Sequence, residues 1–102
     1  MDTTFYIVLN MKTINGFESF GRFFIGNNRD CAYQLFSTLK GNEDVGDDDV
    51  LHMDLMETKD ELPNNVKVIN CSLEELAVNC RVICIEVFRL INLDPPKNIP
   101  HL

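Results

Sequence analysis

The chain has no tryptophan, only 2 histidines, and 9 lysines and arginines against 16 acidic residues. A net charge of −7 leaves no basic stripe to neutralise phosphates, so nucleic acid is not an expected partner. No segment approaches the ~18 consecutive apolar residues that span a bilayer, so no membrane partner is expected either. The N-terminus MDTTFYIVLNMK lacks a basic region followed by a long apolar run and a small-residue cleavage site. The expected compartment is therefore the cytoplasm. Cysteines number 4, at positions 31, 71, 80 and 84, without the spacing of a disulfide framework or a zinc site. They read as buried thiols.

Chemical motifs are equally scarce. The sequence holds no G-x-S-x-G elbow, no glycine-rich phosphate loop and no Cys-x-x-Cys pair. No catalytic residue, cofactor-binding residue or metal ligand is assigned. Cys80 and Cys84 share a helical face but have no companion ligands nearby in sequence, so they read as buried core thiols. His52 and Asp54 share a strand face, where an imidazole beside a carboxylate makes a conceivable base. Cys31 lies near a helix N-terminus and Arg29, a setting that activates thiols. A small enzyme using either group is the least favoured reading.

What is present is pattern. Apolar residues make up 45% of 102 residues, enough for one domain with a real core. The organising stretch is Ser72 to Asn92. Ser72 and Glu75 form a capping box, and Glu74 and Glu75 favour the first turn of a helix. Leu73, Leu76, Ala77, Cys80, Ile83, Cys84, Val87, Leu90 and Ile91 recur at spacings of three and four and predict the core stripe. Asp94-Pro95-Pro96 ends the helix. Val78, Val82 and Ile85 form a second stripe where a surface helix normally carries charge, and predict a contact face.

The remainder predicts four strands and a shorter helix. Thr3 to Thr13 alternates Phe5, Ile7, Leu9 and Met11 with Tyr6, Val8, Asn10 and Lys12. Asn15-Gly16 marks a tight turn into a strand over 17–25, where Gly21 suggests a bulge. The consecutive Phe23, Phe24 and Ile25 suggest that this strand is covered on both faces. Asn28 caps a helix over 29–40 with Ala32, Leu35, Phe36 and Leu39 inward, and Gly41 is its expected left-handed terminator. A third strand covers 50–58, a loop 59–65 and a fourth strand 66–71.

The order strand, strand, helix thus occurs twice, with Asn28 matching Ser72, Leu9 matching Met53 and Ile25 matching Ile69. The expected architecture is an α+β domain over 1–93 in ββαββα order. It has a single four-stranded antiparallel sheet in the order 2-1-3-4, with both helices on one face. Residues 94–102, holding Pro95, Pro96 and Pro100, form a proline-rich tail. The pseudo-twofold of that architecture separates Cys31 from Cys71 and excludes a disulfide between them.

Two surfaces follow as candidate contacts. Tyr6, Val8, His52 and Met56, with one of Phe23 and Phe24, face away from the helices and make an outer sheet face too apolar for open water. Val78, Val82 and Ile85 are the other. The expected function is non-enzymatic association, most simply as a homodimer. The alternative is an acidic inhibitor or immunity-type protein that takes a basic partner through the loop bearing Glu43, Asp44, Asp47, Asp48 and Asp49.

Overall fold

The computed structural model describes residues 3–44, 46 and 49–91, the last two by backbone alone. The expected tail over 94–102 lies outside the described residues, as do Asp47 and Asp48. The elements run β1 (Thr3–Thr13), β2 (Gly16–Gly26), α1 (Arg29–Ser37), β3 (Leu51–Lys59), β4 (Leu62–Asn70) and α2 (Leu73–Ile91). The fold is the expected α+β arrangement: one antiparallel sheet in the order β2-β1-β3-β4.

Period-two alternation sets the register. Ile7 lies opposite Leu55 and Leu9 opposite Met53 in the central β1–β3 pair. A one-residue slip would turn every one of these side chains outward. Phe5, Ile7, Met53 and Leu55 are fully buried, and Ile25, Ala32, Leu35, Phe36, Ile69, Leu76 and Ile83 complete the core over them.

The edge strands depart from the sequence reading. In β2 the register passes from Leu9–Gly21 to Asn10–Ser19, which leaves Phe20 unmatched at the bulge that Gly21 signalled. Phe23 turns inward, Phe24 outward and Ile25 inward again. The three consecutive apolar residues are thus plain alternation. Coverage of both faces does not hold, because Phe24 is exposed.

β4 begins at Leu62, four residues before its expected start at 66. Pro63, Asn64 and Asn65 read as loop in sequence, but an edge strand tolerates proline because half its N–H groups face solvent. The hairpin turn is Asp60-Glu61, held at φ 53° and 71°, the left-handed conformation that a two-residue hairpin requires.

α1 stops at Ser37, short of Lys40. Thr38 closes it by donating from both N–H and Oγ1 to Leu35 O, at 3.0 and 2.7 Å. Gly41 therefore terminates nothing. Its role is close approach, since a Cβ there would stand 2.6 Å from Asn70 O and 3.1 Å from the Ile69 side chain. Beside it, Asn42 and Asn70 exchange two backbone hydrogen bonds at 2.9 Å, pinning the chain after α1 to the end of β4. All four cysteines are free, but only Cys71 is buried as expected; Cys31 and Cys80 are half-buried and Cys84 is exposed.

Candidate functional site

α2 begins as its sequence dictates. Ser72 N–H donates to Glu75 Oε1 at 2.9 Å, and Glu75 N–H donates to Ser72 Oγ at 3.1 Å. These two bonds satisfy donors that a helix N-terminus leaves without partners. The rotation of the helix about its axis is a different matter. Leu76, Asn79 and Ile83 are buried, and Cys80, Val82, Glu86 and Val87 are half-buried. At 100° per residue this buried face is turned by roughly 60° from the expected stripe.

The cause is Asn79, a residue the sequence reading passed over. Its side chain is fully buried, with Oδ1 accepting from Lys40 N–H at 2.7 Å and Nδ2 donating to Lys40 O at 2.8 Å. Nδ2 also lies 3.3 Å from Met53 Sδ. A buried amide needs partners, and the Lys40 backbone after α1 offers both a donor and an acceptor. Turning Asn79 inward to meet them turns Leu73, Ala77 and Cys84 outward.

Three expectations are corrected by this rotation. Leu73, Ala77 and Cys84 do not belong to the core stripe; Leu73 is 71% exposed. Cys84 is an exposed thiol and only Cys80 is partly covered. Burial pushes the Cys80 thiol pKa up, with Cys84 adding to it. Val82 leaves the second stripe and packs against the core.

Val78 and Ile85 do face solvent, at 42% and 52%, and Phe88 joins them at 44%. The outward side of α2 therefore carries Leu73, Ala77, Cys84 and Phe88 on one flank and Val78 and Ile85 on the other. Glu74 and Arg81 lie on its centre line, and neither has a charged partner among the described residues.

The outer sheet face is built differently. Tyr6, Val8, His52 and Met56 all lie there, half-buried, with Phe24 as the outward member of its pair. Much of this face is already covered by its own side chains. The Arg22 guanidinium stands 5.1 Å from the Tyr6 ring centre, and Phe17 stacks on His52 at 4.2 Å. Asn65 Nδ2 donates to Asp54 Oδ2 at 2.7 Å. Burial raises the Asp54 pKa above its ordinary value, while the amides of Asn10 and Asn65 and the charge of His52 draw it partly back. His52 Nε2 and Asp54 Oδ1 have no hydrogen-bond partner among the described residues.

Three of the grooves among the described residues are well formed, and neither His52 nor Asp54 lines any of these three. Cys31 lines one of about 500 Å³ between α1 and α2, with Gln34, Thr38, Val82, Glu86 and Arg89. A second, of about 910 Å³, lies at the foot of α2 between Met11, Asn42, Val50, Leu51, Asn70 and Leu73. Cys71 borders it, its thiol pKa pushed up to about 11 by burial first and by Glu75 second. Among the described residues no three His, Cys, Asp or Glu side chains cluster closely enough to hold a metal.

In the acidic loop, Asp49 Oδ2 accepts from Gly46 N–H and Asp44 N–H donates to Asn42 Oδ1 at 2.8 Å. Glu43 lies apart, beside Lys67 in the third groove. One ion pair has no signature in the sequence, because its members lie on separate elements. Arg29 reaches across to Glu57 at 2.8 Å, where Glu57 is buried on the inner face and the guanidinium stands over Phe5 and Tyr33.

No protein-family model matches the chain, and comparison with curated proteins and with solved structures finds no similar protein.

Proposed function

We propose that this protein acts without catalysis, by association, and that its first partner is a second copy of itself docked on the outward face of α2. The observation that carries this reading is the face itself. Four large apolar side chains, with Ala77 and Cys84 between them, stand in solvent along one helix. Isolated exposed apolar residues are ordinary, whereas several gathered on one helix face, here flanking Glu74 and Arg81, mark an interaction surface. The core does not account for it, since the buried side of α2 is already complete. The outer sheet face ranks second, because Arg22, Phe17 and Asn65 already cover Tyr6, His52 and Asp54. The basic-partner alternative ranks third: the Asp49 carboxylate is engaged by Gly46 N–H within its own loop, while Glu43 and Asp44 remain exposed.

The test is the solution mass by light scattering on a size-exclusion column, at tens of micromolar and at low and high salt. A dimer at both salts is expected, because burial of apolar surface does not weaken with ionic strength. Ile85→Glu should return the mass to that of one chain while circular dichroism stays unchanged. Val8→Glu, on the outer sheet face, should leave the dimer intact. Val82 is unsuitable for this test because it packs on the core. A monomeric parent protein would refute self-association.

A further inference from the structure

Charge on the apolar face of α2 selects one geometry for the pair, and the inference rests on the self-association proposed above. Glu74, Arg81 and Phe88 fall seven residues apart on the centre line of that face. A parallel pair of helices would set Glu74 against Glu74 and Arg81 against Arg81. An antiparallel pair centred on Arg81 would bring two guanidinium groups together. Like charges facing each other in an interface are strongly disfavoured.

We infer that two copies pair their α2 helices antiparallel about a twofold axis between Ala77 and Val78, each Glu74 meeting Arg81 of the other copy. The remaining side chains agree with this register. Ala77, the smallest residue of the face, falls at the axis and lets the backbones approach. Leu73 of one copy falls beside Cys84 of the other on one flank of the axis, and the two copies of Val78 meet on the other flank. Phe88 extends past the start of the opposing helix by about 9 Å at 1.5 Å per residue. That overhang aims it at the groove of about 910 Å³ at the helix foot, which has Met11, Val50 and Leu51 in its wall. Val50 is 57% exposed in the single chain and would be covered. The Glu74–Arg81 pairs set register and orientation rather than affinity, since an interfacial ion pair barely exceeds the cost of desolvating it.

Sedimentation equilibrium on four proteins tests this: the parent, Glu74→Arg, Arg81→Glu and the double reversal. Both positions are exposed, and circular dichroism checks that each variant folds. Each single reversal should raise the dimer Kd at least about tenfold, because it creates two like-charge contacts per dimer. The double reversal restores opposite charges and should return Kd to within about threefold of the parent. A monomeric parent overturns this register together with the self-association reading. A dimer that Ile85→Glu breaks, but whose Kd ignores the single reversals, keeps the α2 interface and overturns the register. Single reversals that weaken the dimer without rescue by the double overturn the register as well.

Discussion

Replacing Asn79 tests the account of why α2 presents the face it does. The side chain is fully buried and makes two hydrogen bonds with the Lys40 backbone, at 2.7 and 2.8 Å. Each such bond contributes about 0.5–1.5 kcal/mol net. Both bonds are part-buried, so the freed Lys40 N–H and C=O incur only part of the full desolvation cost. The lost amide volume adds a small cavity. Asn79→Ala should therefore cost about 2–3 kcal/mol. With a urea dependence of about 1–3 kcal/mol per molar, the unfolding midpoint should fall by about 0.7–3 M.

Asn79→Leu leaves no cavity, is somewhat larger than the amide and removes the hydrogen bonds, so it should still lose at least about 1–2 kcal/mol. Asn79→Asp keeps the acceptor for Lys40 N–H but loses the donor to Lys40 O, and it places a carboxylate where exposure is nil. Its deficit should be largest at neutral pH and should shrink in acid, as protonation removes the charge and restores a donor. The assay is urea denaturation followed by circular dichroism at pH 7 and pH 4. An Asn79→Leu protein as stable as the parent would refute the reasoning. The rotation of α2 would then owe nothing to the amide.

Two further outcomes follow from single contacts. Gly41→Ala should lower the melting temperature by about 5–15 °C, because the new methyl meets a backbone oxygen that flexible side chains cannot relieve; an unchanged melting curve would mean that the Asn42–Asn70 bridge yields freely. Asp54→Asn should stabilise the protein at pH 7. Burial raises the folded-state pKa, so the native state holds the extra proton in the window just above the unfolded value, and stability falls as pH rises through it. The gap between variant and parent should close as pH drops toward 4 in a series of urea titrations, and a gap that widens in acid would contradict the raised pKa.

The sequence by itself determined the elements and their connection. Period-two alternation in β1 and β3, the capping box at Ser72 and the N-cap at Asn28 are local signals whose partners lie within a few residues. Cys31 N–H does donate to Asn28 Oδ1 at 2.9 Å. Strand order followed too, because the repeated ββα unit and right-handed crossovers leave few arrangements of four strands. Even the outward pair Tyr6 and Val8 was legible, since the pleat fixes their side once the inward residues are known.

Tertiary structure alone decided the rest, for a common physical reason. A helix with apolar residues on more than half its circumference has no unique inward face by periodicity, and α2 is such a helix. The choice was made by a polar side chain, Asn79, whose partner at Lys40 is remote in sequence. Arg29 with Glu57, and Gly41 against Asn70, are likewise distant pairs whose meaning exists only once the chain is folded. β4 could begin at Pro63-Asn64-Asn65 because it is an edge strand, a fact set by its neighbours rather than by its residues. The candidate surface shares this origin: Val78 and Ile85 were visible as a stripe, but Leu73, Cys84 and Phe88 joined them only when a buried amide turned the helix.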